Sequence, residues 1–213
     1  MQTLTTASLD TATGHVGTPT LEAVWAEAWS HLERGVSSAS EAFHLGVFGS
    51  WNGRECGLRT VVLRGADRER RELVCHTDYR SPKRVQVDRH PRVSWLFYDA
   101  KRKLQLRLTG QAQILQGGTV ADARWAGTSL SARRCYLAER APGRSLVLPT
   151  SGLPSSLETR PPSHAESGRG RTNFTVLVTV VDELDWLQLD ARGHRRARFR
   201  WRADALTAEW IVP

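Results

Sequence analysis

From Phe43 to Leu115 the hydrophobic pattern of the chain runs with a period of two, and that pattern restricts the fold more than any other feature. The segments FHLGVFGSW, LRTVVLR, RELVCHT, RVSWLFYD and KLQLRLTGQAQIL are short, rich in β-branched and aromatic residues, and parted by polar turns. Between the first two, Asn52-Gly53 is a hairpin turn signal. Near the C-terminus NFTVLVTVVDELDWLQLD, HRRARFRW and a last short stretch, LTAEWIVP, read the same way. Closing such strands into a barrel removes the exposed edges that would template aggregation. The pattern predicts a mainly β chain with α elements: six to seven antiparallel strands in a small barrel, with helices around it.

Three stretches break the strand period. In TLEAVWAEAWSHLERGV, Leu21, Val24, Trp25, Ala28, Trp29 and Leu32 recur at helical spacing, Thr20 can cap the start and Gly35 can end it. SPKRVQVDRHP predicts a short helix with Ser81 as N-cap, Pro82 in its first position and Pro91 past its end. TVADARWAGTSLSARRCYLAER is the third helical stretch. Residues 1–19, rich in Thr, Ser and Gly, read as a flexible tail, and a Pro-, Ser-, Gly- and Arg-rich run at about 150–171 reads as a flexible insertion. Residues 20–213 then form a single domain.

A chain of 213 residues, 40% hydrophobic and with eight tryptophans, can bury a real core. Its formal net charge of +8 allows a nucleic acid, a membrane surface or an anionic ligand as partner. Of its 30 cationic residues only Lys83, Lys101 and Lys103 are lysines, a skew that can reflect genomic base composition, so bulk charge selects none of these. Cys56, Cys75 and Cys135 lie far apart without CxxC spacing, which fits packing thiols and predicts no metal site. An odd cysteine count and an N-terminus without a basic-then-apolar leader point to the cytoplasm. With no apolar run of about 18 residues, no membrane partner is expected.

The charged positions narrow the function. In LRTVVLR, alternation sends Arg59, Val61 and Leu63 to one face and Thr60, Val62 and Arg64 to the other. The two arginines can serve one ligand only if the strand bends or ends there; otherwise they are strand-end surface residues. In HTDYRSPK, the Thr77 and Ser81 hydroxyls, the Lys83 ammonium and the free amides of a helix start are groups that hold a phosphate, although a capped helix with solvated charges would look alike. Gln105 and Arg107 share a face of LQLRLTG, as either an amphipathic half-exposed strand or a cofactor edge, since an amide side chain both donates and accepts. Trp186, Arg192, His194 and Arg196 put a flat apolar surface beside several donors, or else mark a basic surface hairpin.

Taken in order, RTVVLR, HTDYRSPK, DRHPRVSWLFYD, LQLRLTG and the closing tryptophan with RGHRR resemble the pyridoxamine 5'-phosphate oxidase-related family of FMN-binding split-barrel proteins. The likeness is strong over residues 41–115 and moderate over 172–213. It implies a six- to seven-stranded antiparallel split β-barrel with peripheral helices, binding FMN at the interface of a homodimer. Carried over by position, it assigns Arg59, Thr60, Val61, Val62, Leu63 and Arg64 to the strand along the flavin, with Arg in place of Lys at 64. His76 and Thr77 follow, with His where Tyr is frequent, then Ser81 and Lys83, with Pro82 where an Arg is frequent. Gln105, Trp186 and Arg196 complete the implied cofactor set. Arg64, Arg192 and His194 are the implied substrate contacts, and no residue is implied as a covalent catalyst.

The implied activity is an FMN-dependent oxidation of a CH–NH2 or CH–OH group on a small, phosphorylated substrate such as pyridoxamine or pyridoxine phosphate. The family's substrate-phosphate helix, bearing Tyr, Arg and Ser, is not recognisable in RWAGTSLSARRCYLAER, where Ser131 or Arg133 could substitute. That departure leaves the substrate open. A flavin- or tetrapyrrole-binding protein without turnover is one alternative. A nucleic-acid-binding barrel, supported by HRRARFRWR, is another and weaker one.

Overall fold

The computed structural model describes residues 19–203 and 205–213, so the expected tail lies outside them except for Pro19. Helix α1 (Leu21–Ser37) starts where Thr20 Oγ1 accepts the Ala23 N–H at 3.2 Å, and buries Val24, Ala28, Trp29 and Leu32. It does not end at Gly35. A Cβ there would stand 2.6 Å from the Phe43 carbonyl, so Gly35 is the point where the next turn crosses α1 rather than a stop signal.

Strands β1 (Leu45–Trp51) and β2 (Cys56–Val62) form the expected hairpin, its turn held by Asn52 Oδ1 accepting the Arg54 and Glu55 N–H groups. β3 (Gly65–Asp67) and β4 (Glu72–Asp78) follow, then α2 (Pro82–Arg89), β5 (Arg92–Asp99) and β6 (Leu104–Leu115). The third helical stretch is broken at Gly127–Ser129 into α3 (Gly118–Ala126) and α4 (Leu130–Arg133), with a 3-10 turn at Arg134–Leu137. Residues 150–171 carry a 3-10 turn at Ser155–Leu157 and α5 (His164–Gly168), whose start is closed by a Ser163/Glu166 capping box. Leu157 and Ser167 in this run are buried. β7 (Phe174–Gln188), β8 (Arg195–Arg202) and β9 (Ala205–Ile211) close the chain.

All pairings are antiparallel, in the order β2-β1-β5-β6-β7-β4-β3, with β8 and β9 branching from β7. The described residues thus hold nine strands rather than six or seven; β3, with three residues, is too short to leave a period of its own. No ladder joins the two ends of this order, yet β2 and β3 are consecutive in the chain. At their junction the Leu63 N–H bonds the His44 carbonyl (2.9 Å) and the Arg64 N–H bonds the Val74 carbonyl (2.7 Å), so the backbone passes from one end strand to the other.

The split lies along β7. One edge of this long strand pairs with β6 throughout, while the other pairs with β4 up to Val180 and with β8 from Glu183. The change coincides with a register shift at Thr109/Gly110, where Asp182 is left unpaired against β6. Gly110 is required there, because a Cβ would fall 2.1 Å from the Val180 carbonyl oxygen.

Phe48, Trp95, Phe97, Leu106, Leu184 and Phe199 fill the barrel beneath α1, and Trp25 packs at a tilt against Phe199 and Trp201 (ring centroids 5.5 and 4.8 Å). Each large side chain so buried contributes about 1.5–3 kcal/mol. A second cluster, Val74, Trp125, Tyr136, Phe174, Val176 and Val178, anchors α3 and the 3-10 turn after α4 beside β4 and β7. It fixes one wall of the site.

Candidate functional site

The bend between β2 and β3 sets the two arginines apart: Arg64 lines a cavity, whereas Arg59 is turned to Ser50 and Gln86. Thr60, Val61, Val62 and Arg64 line a cavity of about 470 Å3, together with His76, Thr77, Asp78 and Lys83 from β4 and α2, and Ser131, Cys135 and Tyr136 from the opposite wall. A second cavity of about 470 Å3 adjoins it, sharing Arg64, His76, Thr128 and Ala132 and adding Arg124 and Ser129. These volumes suit a small-molecule site. Leu63 is fully buried in the core, so along this strand it turns away from the cavity.

At one end the cations are desolvated. Lys83 Nζ donates to Thr77 Oγ1 at 2.7 Å and to Ser81 Oγ at 3.5 Å, and the two hydroxyls lie 3.4 Å apart. Ser81 occupies the N-cap position of α2, but its side chain makes no capping bond and joins this cluster instead. Burial, then the nearby Arg59, hold the Lys83 ammonium below the usual lysine range, against the opposing pull of Asp78. Burial lowers Arg59 as well. Among the described residues, neither Arg59 nor Lys83 takes part in a salt bridge. Lys83 thus stands beside two hydroxyls, with Arg59 near enough to act on its ammonium.

His76 forms part of the cavity wall and packs edge-on against Phe174 at 4.8 Å. Burial, with Arg64 and Arg124 adding to it, lowers its pKa to about 4, so it is neutral at pH 7. Its Nε2 is buried without a hydrogen-bond partner among the described residues. Cys75 is buried and pushed up to about 12, an inert packing thiol, whereas Cys135 is exposed in the cavity.

The remaining expected residues lie elsewhere on the chain. Gln105 is half-buried on β6 opposite Tyr98 and Leu187. Arg196 shares a face with Leu187 and holds Asp185 with bonds of 2.7–3.2 Å, while Arg107 reaches the same carboxylate at 2.7 Å. Burial pushes Asp185 up, but hydrogen bonds from Arg196 and Arg107 outweigh it and hold the carboxyl below its usual range. Trp186 points the other way, into the core against Trp210, with its indole N–H unpartnered. Arg192 and His194 sit in the turn before β8, where Arg192 pairs with Asp190 and His194 Nδ1 accepts the Asp190 N–H.

Sequence reasoning missed Arg124, Thr128 and Tyr136. The i, i+4 spacing of Arg124 and Thr128 at the end of a helix was the available signal. Of the two substitutes considered for the opposite wall, Ser131 lines the cavity, but Arg133 is buried. It donates to the Trp125 and Ala126 carbonyls (2.8 and 3.1 Å) and to Ser167, which closes the C-terminal end of α3.

Residues 22–116 match the family model described as pyridoxamine 5'-phosphate oxidase, FMN-binding domain. The match takes in α1 and ends before the closing strands. Among solved structures, the chain is similar to a pyridoxamine 5'-phosphate oxidase-related, FMN-binding protein from Nostoc punctiforme PCC 73102, at 21% identity and a TM-score of 0.70 over 89% of this chain and 97% of that one. It is also similar to PhzG from Burkholderia lata 383 in complex with tetrahydrophenazine-1-carboxylic acid, at 16% identity and a TM-score of 0.65 over 91% and 90% of the two chains. A Clostridium acetobutylicum protein related to general stress protein 26 follows at 11% identity and a TM-score of 0.50, over 91% and 97%. No curated protein matches. At these identities the structural likeness is one of fold, and it is the split-barrel fold that the sequence implied. The resemblance is therefore borne out: residues 22–116 carry the signature of the pyridoxamine 5'-phosphate oxidase FMN-binding domain, within the fold of FMN-binding proteins related to that oxidase.

Proposed function

We propose that the chain binds FMN with its phosphate at Arg59, Thr77, Ser81 and Lys83 and oxidises a small anionic molecule. The observation that carries this reading is Lys83, a desolvated cation in the wall of a cavity that the Thr60–Val62 strand also lines, with Arg59 near enough to act on it and neither cation in a salt bridge among the described residues. A phosphate monoester carries nearly two negative charges at pH 7, matching this pair. The unpartnered Nε2 of His76 offers a further polar contact on the same wall. Bound there, FMN supplies hydride acceptance from a carbon bearing an amine or hydroxyl group. The chain's own residues then bind, orient and exclude water. Arg64 and Arg124, which flank the second cavity, suit an anionic group on the substrate.

The second set of expected cofactor residues supports a homodimer. Gln105, Arg107 and Arg196 border an outward groove of about 340 Å3 lined by Val47, Leu58, Leu96 and Leu108, with Leu45, Leu58 and Tyr98 exposed around it. Covering that face with a second copy would bury apolar surface and present Gln105 and Arg196 to the partner's cavity, which one chain alone cannot do.

Ligand storage without turnover stands as the second reading. Arg192, the implied substrate contact, is committed to Asp190 rather than to the cavity, so the substrate side is less built than the cofactor side. Nucleic-acid binding is disfavoured because Arg196, Arg198 and Arg200 of the basic run spend their charge on Asp185, Glu209 and Glu183. Among the described residues no helix is long and apolar enough to cross a membrane.

The test is the absorption spectrum of purified protein, followed by chromatography of any released chromophore. FMN at about one equivalent per chain is expected, and Arg59→Ala with Lys83→Ala should lose it while keeping the circular dichroism of the folded protein. Full flavin occupancy in that double variant refutes the phosphate seat. Turnover of pyridoxamine or pyridoxine phosphate then separates oxidase from storage protein.

A further inference from the structure

Arg59 is held in place without being neutralised. One guanidinium nitrogen donates to Ser50 Oγ at 2.6 Å and to the Phe48 carbonyl at 3.4 Å, and the other donates to Gln86 Oε1 at 3.2 Å. The Ser50 hydroxyl in turn donates to the same Gln86 oxygen at 2.6 Å. Ser50 is 1% exposed, so this triangle sits under the strand surface. Gly57 leaves room for it, since a Cβ there would stand 2.7 Å from the guanidinium.

The choice of acceptors differs from that made by many of the chain's arginines, though Arg133 and Arg124 are also met by neutral groups. Arg80, Arg92, Arg107, Arg196, Arg198 and Arg200 are each met by a carboxylate. Arg59 is met by an amide oxygen, a hydroxyl and a backbone carbonyl. A neutral acceptor fixes the direction of a guanidinium and leaves its charge for a ligand, whereas a carboxylate would cancel it. Gln86 also lies on α2 one turn beyond Lys83, so a single helix places both cations.

We propose that Gln86, braced by Ser50, is a positioning residue that fixes the Arg59 guanidinium without pairing its charge, leaving that charge for a phosphate, and so sets the preference of this site for FMN over riboflavin. The proposal rests on the FMN reading above. It is tested by titrating wild type and variants with FMN and with riboflavin, following flavin fluorescence. Gln86→Glu should weaken FMN by about tenfold to a hundredfold, the range of one charge-assisted hydrogen bond, and change riboflavin by less than about twofold. Gln86→Leu should weaken FMN by a smaller factor, and should cost nothing further when added to Arg59→Ala, as expected if Gln86 acts only through Arg59. FMN affinity unchanged in Gln86→Glu overturns the proposal. So does a parallel fall in FMN and riboflavin, or an undiminished Gln86→Leu effect in the Arg59→Ala background. A wild-type protein that binds neither flavin overturns the FMN reading itself.

Discussion

Replacing His76 by Phe should change how the stability of this protein depends on pH. The wild-type imidazole is buried beside Arg64 and Arg124 and titrates at about 4, against an ordinary value of 6.5 for the unfolded chain. Its folded-state pKa is depressed, so the unfolded state takes up the proton first as pH falls. Stability is therefore full above about pH 6.5, is lost as pH drops from there toward about 4, and changes no further below that. At about 1.4 kcal/mol per pH unit, the gap between the two values sets a ceiling of about 3 kcal/mol. Between about pH 7.5 and pH 5 the expected loss is about 2 kcal/mol. Phe at this position keeps an aromatic ring against Phe174 and removes the titration. Urea unfolding followed by tryptophan fluorescence, at several pH values, gives the free energy for each protein, and their difference cancels the carboxylates common to both. A difference constant to within about 0.5 kcal/mol over that range would refute a neutral, desolvated His76.

Two further perturbations test the frame and the assembly. Gly110→Ala forces a Cβ against the Val180 carbonyl at the point where β7 changes partner, and should cost about 2–3 kcal/mol, read as a melting point lower by about 5–10 °C; an unchanged melting point refutes the close approach. Leu58→Lys puts a charge on the exposed apolar face beside the outward groove, and sedimentation should show a monomer with reduced flavin occupancy. A dimer retaining full occupancy would remove this face from the interface.

Much of this architecture could be read from the order of residues because the deciding interactions are local. A period of two, Asn52-Gly53 in its hairpin and Thr20 ahead of α1 act within a few residues, and the strands and helix start appear where they predict. The clustering of Thr77, Ser81 and Lys83 was legible for the same reason: the three fall within seven residues around one helix start. Signals with two physical meanings were not legible. Gly35 could stop a helix or admit a crossing chain, and only the position of Phe43 decides. Ser81 could cap α2 or join Thr77 and Lys83, and its hydroxyl takes the second course.

What the sequence by itself determined is the positions of the longer strands and of the first two helices, the split-barrel fold and the Thr77/Ser81/Lys83 cluster, since each follows from periodicity or from neighbours along the chain. Only the tertiary structure decided that Arg64 lines the cavity while Arg59 is held by Ser50 and Gln86, because that depends on the bend where β2 hands its backbone bonding from His44 to Val74. It also decided which arginines stay unneutralised. Arg196, Arg198 and Arg200 belong to a run that is basic in sequence, and are paired with carboxylates brought across the sheet by register. Arg59 keeps its charge because the residues that fold places around it, Ser50 and Gln86, are neutral. Cation count is a property of sequence, but available charge depends on which acceptors the fold brings within hydrogen-bonding distance.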